Sequence, residues 1–364
     1  MKIFTVVGAR PQFIKAAALS HTLLNTSNYK HIEESILHTG QHFDQNMSDV
    51  FFEQMNIPRP KYSLDISGGN HGAMTGEMIK QIEGCLIKDK PDLVLVYGDT
   101  NSTFAAAVAA SKLHIPIAHV EAGLRSWNMQ MPEEINRILT DKVSQFLFCP
   151  TQTAIDNLLR EGMPALQKEH GIPCHVVNTG DIMFDSIRIF SELNRALNPN
   201  KSEKGKVFVT LHRAENVDHE ERLRSIVKAL NKISKTEDLV FPLHPRTRKS
   251  LERFNIELDF DPIEPIGYLE VLDILSDASV VLTDSGGLQK EAYFFEKPTI
   301  VLRDETEWVE LIKANAAHLV GANYEKILTT FEDQKSTAFK RDDSIFGNGF
   351  ASTKIIDTIL QNFN

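Results

Sequence analysis

The chain has 364 residues, 42% hydrophobic and 24% charged, and its 49 acidic against 39 basic side chains give a net charge of -10. That length exceeds what one hydrophobic core usually fills, so two domains with a cleft between them are expected. The acid excess excludes a general basic surface for nucleic acid or an anionic membrane. The opening run IFTVV is too short for a signal-peptide core and no run approaches a membrane span, so the cytoplasm is the expected address. Cys85, Cys149 and Cys174 form no CxxC pair and read as reduced packing thiols.

From the amino terminus, short β-branched runs alternate with helical patterns. KIFTVV is a strand, a helix starts at Pro11, and ESILHT is a strand; helices follow near 45–55 and 73–88, then a strand LVLVY, a helix over 101–112 and a strand PIAHV. Such alternation predicts a parallel, doubly wound sheet. MPEEINRILTDKV reads as a helix with Pro132 near its first turn, acids that complement its dipole, and Ile135, Ile138 and Leu139 on one face. FLFCP and VVNTG follow as strands, and the first domain is expected over 1–180.

A second domain over 181–349 repeats the scheme: VFVTLH, a helix over 219–235, LVFPLH, a helix after Pro245, a strand near 262–265, a helix over 268–277, SVVLTDS, a helix from Gly287, PTIVL and HLV. In the tail, Ile355, Ile356, Ile359, Leu360 and Phe363 are spaced for an amphipathic helix over 350–364, expected to rejoin the first domain.

Residues just past the carboxyl ends of parallel strands gather along one sheet edge, where open α/β folds bind ligands. Asp99 follows LVLVY, Glu121 follows IAHV and Glu133 opens the next helix, so three carboxylates are expected at one site. Each also has a simpler use: Asp99 as cap of the helix over 101–112, Glu121 as partner of Arg125, and Glu133 as partner of Arg137. HExxH and an EF-hand loop are absent and these three acids lack DxD-like spacing, so proton transfer and hydroxyl binding are favoured over a metal.

GARPQFIKAA places Gly8, Arg10 and Lys15 at a helix amino terminus, which attracts anions. It is not the GxGxxG fingerprint, so no nicotinamide or flavin is expected. LTDSGGLQKEA repeats the logic: Ser285, Gly286 and Gly287 let backbone N–H groups approach a phosphate, and Glu291 is placed to accept from ribose hydroxyls unless it is a surface acid after a plain turn. TLHRAEN and PLHPRT supply His212, Arg213, His244 and Arg246 at further strand ends, a set suited to a pyrophosphate. Gln41 and His42 stand at another strand end in the first domain.

The ordered set GARPQFIK, TGQH, YGDTNST, HVEAGLRS, PEEINR, LHR and TDSGGLQKEA closely resembles the non-hydrolysing UDP-N-acetylglucosamine 2-epimerase family. The resemblance runs from residue 1 to about 305, with further agreement to the tail. It implies a GT-B-like fold, two doubly wound Rossmann-like domains with UDP in the cleft, no cofactor, a UDP-sugar substrate and a homodimer. The family inverts carbon 2 by eliminating UDP to a 2-acetamidoglucal and adding it back. Carried over by motif, Asp99, Glu121, Glu133 and His212 are the catalytic group. Arg10, His244, Ser285, Gly286, Gly287 and Glu291 form the UDP set, with Lys15, Arg213 and Asp304 as neighbours. Phe43 and Asp44 replace the cation that many bacterial members carry after the QH pair, which argues against their second, activating UDP-sugar site. GARPQF and TGQHFDQNMSDVFF look like the branch acting on UDP-2,3-diacetamido-2,3-dideoxyglucuronate, a precursor of bacterial surface polysaccharide. Gln41, His42 and Arg125 are the expected partners of the extra substituents. A GT-B glycosyltransferase and a hydrolysing 2-epimerase are the alternatives.

Overall fold

The computed structural model describes residues 1–41, 58–66, 68–165, 169, 171, 173–197 and 205–363. The chain divides into two compact units, Met1–Arg188 with Asp343–Asn364, and Ile189–Asp342. The boundary expected near 180 falls just before the helix Ile182–Leu197, and the unit boundary falls inside that helix.

In the first unit the described strands are β1 (Lys2–Val7), β2 (Glu33–His38), β3 (Tyr62–Ser63), β4 (Leu93–Tyr97), β5 (Ile117–Val120), β6 (Phe146–Cys149) and β7 (His175–Asn178). They form one parallel sheet in the order β3-β2-β1-β4-β5-β6-β7. The chain winds outward from β1 in one direction and from β4 in the other, so the topological switch lies between them. LVLVY is buried at every position, as befits a strand whose two faces are both covered. The helix Asn101–Lys112 starts where Thr100 Oγ1 accepts the Thr103 N–H at 3.3 Å, and its alanines 105, 106, 107, 109 and 110 are wholly buried. Small side chains there let the helix pack close to the sheet.

The helix Ala351–Asn362 belongs to this unit. Asp185 accepts the N–H groups of Ala351 and Ser352 at 2.9 and 2.7 Å, satisfying two donors of its first turn. Tyr29 Oη donates to Asp357 at 2.8 Å, and Ile355, Ile356 and Ile359 are fully buried.

The second unit contains β8 (Val207–Thr210), β9 (Leu239–Val240), β10 (Val280–Thr283), β11 (Thr299–Val301) and β12 (Ala317–Leu319) in a parallel sheet of order β12-β11-β10-β8-β9. Its switch lies between β8 and β10. The strand expected near 262–265 is only a bridge from Pro242 to Ile263, and LVFPLH shortens to two residues. Pro242, Pro262 and Pro265 have no N–H to give a ladder. Helices Gln152–Arg160, Ile182–Leu197 and Tyr324–Gln334 are present without having been anticipated. The helix expected near 45–55 lies outside the described residues. No helix among the described residues is long and apolar enough to cross a membrane.

Candidate active site

At the first switch point, β1 runs into the helix Arg10–Asn25 through Gly8 and Ala9. A Cβ on Gly8 would lie 2.0 Å from Ser102 Oγ and 2.4 Å from Thr39 Oγ1, so only glycine fits. Gln12 is buried and organises this corner. Its Oε1 accepts the N–H groups of Gly8 and Ala9 at 2.8 and 3.1 Å, while its Nε2 donates to Tyr97 O at 2.6 Å, Thr100 Oγ1 at 3.0 Å and Thr103 Oγ1 at 2.8 Å. One amide therefore ties the turn after β1 to the turn after β4.

Asp99 and Glu121 follow the paired ends of β4 and β5, where Gly98 N–H donates to Val120 O at 2.9 Å. Glu121 is buried and holds φ at +71°, a left-handed conformation that costs a non-glycine residue energy and often marks a functional site. Its Oε2 pairs with the buried ammonium of Lys15, whose side chain is 11% exposed against 7% for Glu121. Asp99 accepts from Arg137 Nη2 at 2.6 Å, and Arg137 Nη1 also pairs with Glu134. Glu134 is wholly buried and accepts the N–H groups of Ser126 (3.0 Å) and Trp127 (2.8 Å). Asn136 Nδ2 donates to Asp99 O at 3.0 Å. The helix Pro132–Val143 is thus fastened to the Asp99 turn, with Glu133 exposed on its first turn.

Below these turns, His119 spans from Asp141 Oδ1 to the Gly98 carbonyl, at 2.7 Å on each side. Arg125 is fully enclosed between Asp141 at 2.7 Å and Glu161 at 2.6 and 3.0 Å. The Asp141 carboxyl lies below its ordinary range: burial opposes this, and the adjacent His119 and Arg125 outweigh it.

The second unit builds its own constellation at the ends of β8 and β10. Asp284, completely buried, accepts the N–H groups of His212 at 3.1 Å and Arg213 at 2.8 Å and the Asn216 amide at 3.2 Å. His212 Nδ1 lies 3.4 Å from Asp284 Oδ1, and its ring centre is 5.5 Å from that of His244. Burial pulls the His212 imidazole below its ordinary range, opposed by Asp284 and assisted by the neighbouring His244, Arg213 and Arg246. His244 caps the helix Pro245–Phe254: its Nδ1 accepts the Arg246 N–H at 3.1 Å, leaving Nε2 as the donor. Ser285 Oγ caps the helix Gly286–Phe294, and nothing lies within 4 Å of a Cβ built on Gly287. Glu291 is buried rather than a surface acid. Asp304 accepts from Arg222 Nη1 at 2.8 Å, and Arg246 pairs with Asp218 at 2.5 Å.

The simpler uses of the carboxylates are not the ones found. Thr100, not Asp99, caps the helix; Glu121 meets Lys15, not Arg125; Arg137 meets Glu134 and Asp99, not Glu133. Arg125 is committed to Asp141 and Glu161 and has no free face for a substrate carboxylate. Gln41 receives the Ser102 N–H and hydroxyl at 3.1 and 2.7 Å, fastening the turn after β2 to the helix Asn101–Lys112. His42 lies outside the described residues, as does the side chain of Arg10, which opens its helix. Gln12, Glu134, His119 and Asp284 were not anticipated, and Arg137 was expected only as the partner of Glu133. Asp284 alone carried a readable signal, an acid directly after a buried strand. Among the described residues no group of three histidine, cysteine or acidic side chains is placed to hold a metal ion.

A family model described as UDP-N-acetylglucosamine 2-epimerase matches residues 25–360. The sequence is 52% identical to the UDP-2,3-diacetamido-2,3-dideoxy-D-glucuronate 2-epimerase of Pseudomonas aeruginosa, over 99% of this chain and 100% of that one. It is 42% identical to the UDP-N-acetylglucosamine 2-epimerase of Methanocaldococcus jannaschii, over 98% of each. The crystal structure of the M. jannaschii UDP-GlcNAc 2-epimerase in complex with UDP-GlcNAc and UDP is similar with a TM-score of 0.82, at 40% identity and 100% coverage of both chains. MurG of Acinetobacter baumannii, 14% identical with 99% of each chain covered, shares the fold alone at a TM-score of 0.57. The architecture is GT-B-like, with two parallel, Rossmann-like sheets.

Proposed function

Because the chain belongs to the UDP-N-acetylglucosamine 2-epimerase family, we propose that it is a non-hydrolysing UDP-sugar 2-epimerase whose substrate is UDP-2,3-diacetamido-2,3-dideoxyglucuronate. The observation that carries the choice of sugar is the greater likeness, along the whole chain, to the Pseudomonas enzyme than to the M. jannaschii one. The product would serve surface polysaccharide synthesis. A homodimer in the cytoplasm completes the proposal; sedimentation of a single 41.0 kDa chain would count against the dimer.

Carbon 2 of the sugar bears no carbonyl, so its proton is not acidic and simple deprotonation is too costly. Elimination removes that difficulty: a base takes the carbon 2 proton, the carbon 1–oxygen bond breaks, and its electron pair leaves with UDP. The resulting 2-acetamidoglucal is then protonated on the opposite face as UDP returns. Asp99, Glu121, Glu133 and His212 are the proposed proton-handling group. Lys15 pairs with the Glu121 carboxylate inside the fold, and Arg137 pairs with Asp99. In the second unit, Ser285, Gly286 and Gly287 present the start of a helix to the diphosphate, His244 Nε2 faces outward as a donor, and Glu291 takes the ribose hydroxyls. Arg10, Arg213, Asp304 and Gln41 complete the proposed binding set.

Incubating the protein in heavy water with this UDP-sugar, and separately with UDP-N-acetylglucosamine, without acceptor, tests the proposal. Solvent deuterium at carbon 2 of the recovered UDP-sugar is the expected result, faster with the diacetamido sugar. Intact substrate without deuterium would sink the epimerase reading in favour of a glycosyltransferase. Free UDP and 2-epimer sugar accumulating at equilibrium would mean a hydrolysing enzyme.

A further inference from the structure

The helix Gly286–Phe294 begins with small residues, yet one side of its first turn is already taken. A Cβ built on Gly286 would lie 1.8 Å from Oε1 of Glu307, so that carboxylate stands directly against Gly286. Its Oε2 accepts from Arg303 Nη1 at 2.8 Å, and Arg303 Nε donates to Glu215 Oε1 at 3.2 Å. The segment around Glu307 is fastened to the same helix on both sides. Thr306 Oγ1 donates to Gln289 Oε1 at 2.7 Å, Trp308 Nε1 donates to Gly286 O at 2.9 Å, and the Lys290 ammonium lies 4.2 Å from the centre of the Trp308 ring. Arg303 is 12% exposed, whereas Glu307 and Glu215 are 45% and 46% exposed. A nearly enclosed guanidinium is thus balanced by two carboxylates that can turn into water.

We propose that Arg303 is a further diphosphate-binding residue and that Glu307 is an internal anion occupying the seat until a nucleoside diphosphate displaces it. The inference rests on the reading of Ser285, Gly286 and Gly287 as the UDP seat. A helix start favours an anion through its free N–H groups and dipole, whether the anion is a carboxylate or a phosphate. Two anions cannot share that space without mutual repulsion. When phosphate oxygens arrive, the Glu307 side chain turns outward and Arg303 exchanges a single carboxylate contact for the forked contact it makes well with phosphate. UDP affinity is then the difference between two competing anions, and a carboxylate well outside the set that handles the sugar sets how tightly UDP is held.

Isothermal titration of UDP into the full chain tests this. Glu307→Gln should bind UDP about threefold to tenfold more tightly than wild type, since a contact of about 1 kcal/mol converts to a change of that size. Arg303→Gln should bind about tenfold more weakly, and in the Arg303→Gln background Glu307→Gln should lose most of its gain. Tightened binding cannot arise from damage to the fold, so the first variant separates the proposal from a structural role. Wild type that binds UDP while Glu307→Gln binds it equally or less well would overturn the inference alone. Wild type that does not bind UDP would overturn the UDP seat and the inference with it.

Discussion

Lys15→Met isolates the contribution of one buried ion pair to both stability and chemistry. The Lys15 ammonium and Glu121 carboxylate are 11% and 7% exposed, so each supplies the other with charge compensation that water would otherwise give. Removing one partner of such a pair typically costs about 3 to 5 kcal/mol, because the other charge stays buried with less compensation. Protonation of Glu121 relieves part of that cost, so its carboxyl favours the neutral form more in the variant than in wild type. The acid limb of the carbon 2 deuterium-exchange profile should therefore move to higher pH in Lys15→Met. In urea, the first unit should unfold earlier by an amount in the stated range. Adding Glu121→Gln should restore much of the lost stability, since the buried carboxylate charge goes with it, but not activity. An unshifted acid limb, or a double variant as unstable as Lys15→Met, would refute the assignment of Lys15 as the counter-ion of a working Glu121.

Asp99→Asn and His212→Asn should each lower deuterium exchange at least about a hundredfold, in line with loss of a general acid or base, while calorimetric UDP affinity stays close to wild type. An equal loss of UDP affinity would place both residues in the nucleotide seat instead. Gln12→Ala leaves two buried N–H groups at Gly8 and Ala9 without their acceptor and should destabilise the first unit by about 2 to 4 kcal/mol, read by urea unfolding. The Tyr29 phenol, buried and hydrogen-bonded to Asp357, is pushed up to about 12. Its folded value lies above the unfolded one, so the stability it contributes is fully present below pH 10 and is lost as pH rises through 12. Melting temperatures measured across that window should fall more steeply for wild type than for Tyr29→Phe. His212 has the opposite sense: its imidazole lies below the ordinary range through burial, so acidification protonates the unfolded chain first and erodes stability, and His212→Asn should remove that part of the acid sensitivity.

The sequence by itself determined much of the scaffold. Alternating β-branched runs and helical stretches specify strands whose ends lie on one sheet edge, because βαβ winding points them the same way; Asp99, Glu121, His212 and Ser285 all follow strand ends as their motifs suggested. The local signals that failed were those where backbone chemistry overrode apolar pattern, as at Pro242 and Pro265, where a missing N–H dissolves the expected strand. Partner choice was decided only by tertiary structure. Arg137 sits four residues from Glu133, yet it turns to Glu134 and to Asp99, a residue 38 positions away, and Lys15 meets Glu121 across 106 positions. Spacing along a helix gives which side chains can meet, but burial selects which charges must meet, since an enclosed carboxylate without a cation is far more costly than an exposed one. The carboxylate of Glu307 against Gly286 belongs to the same class. No periodicity in TDSGGLQKEA or RDETEW announces it, and it exists because two separate turns close on one helix start.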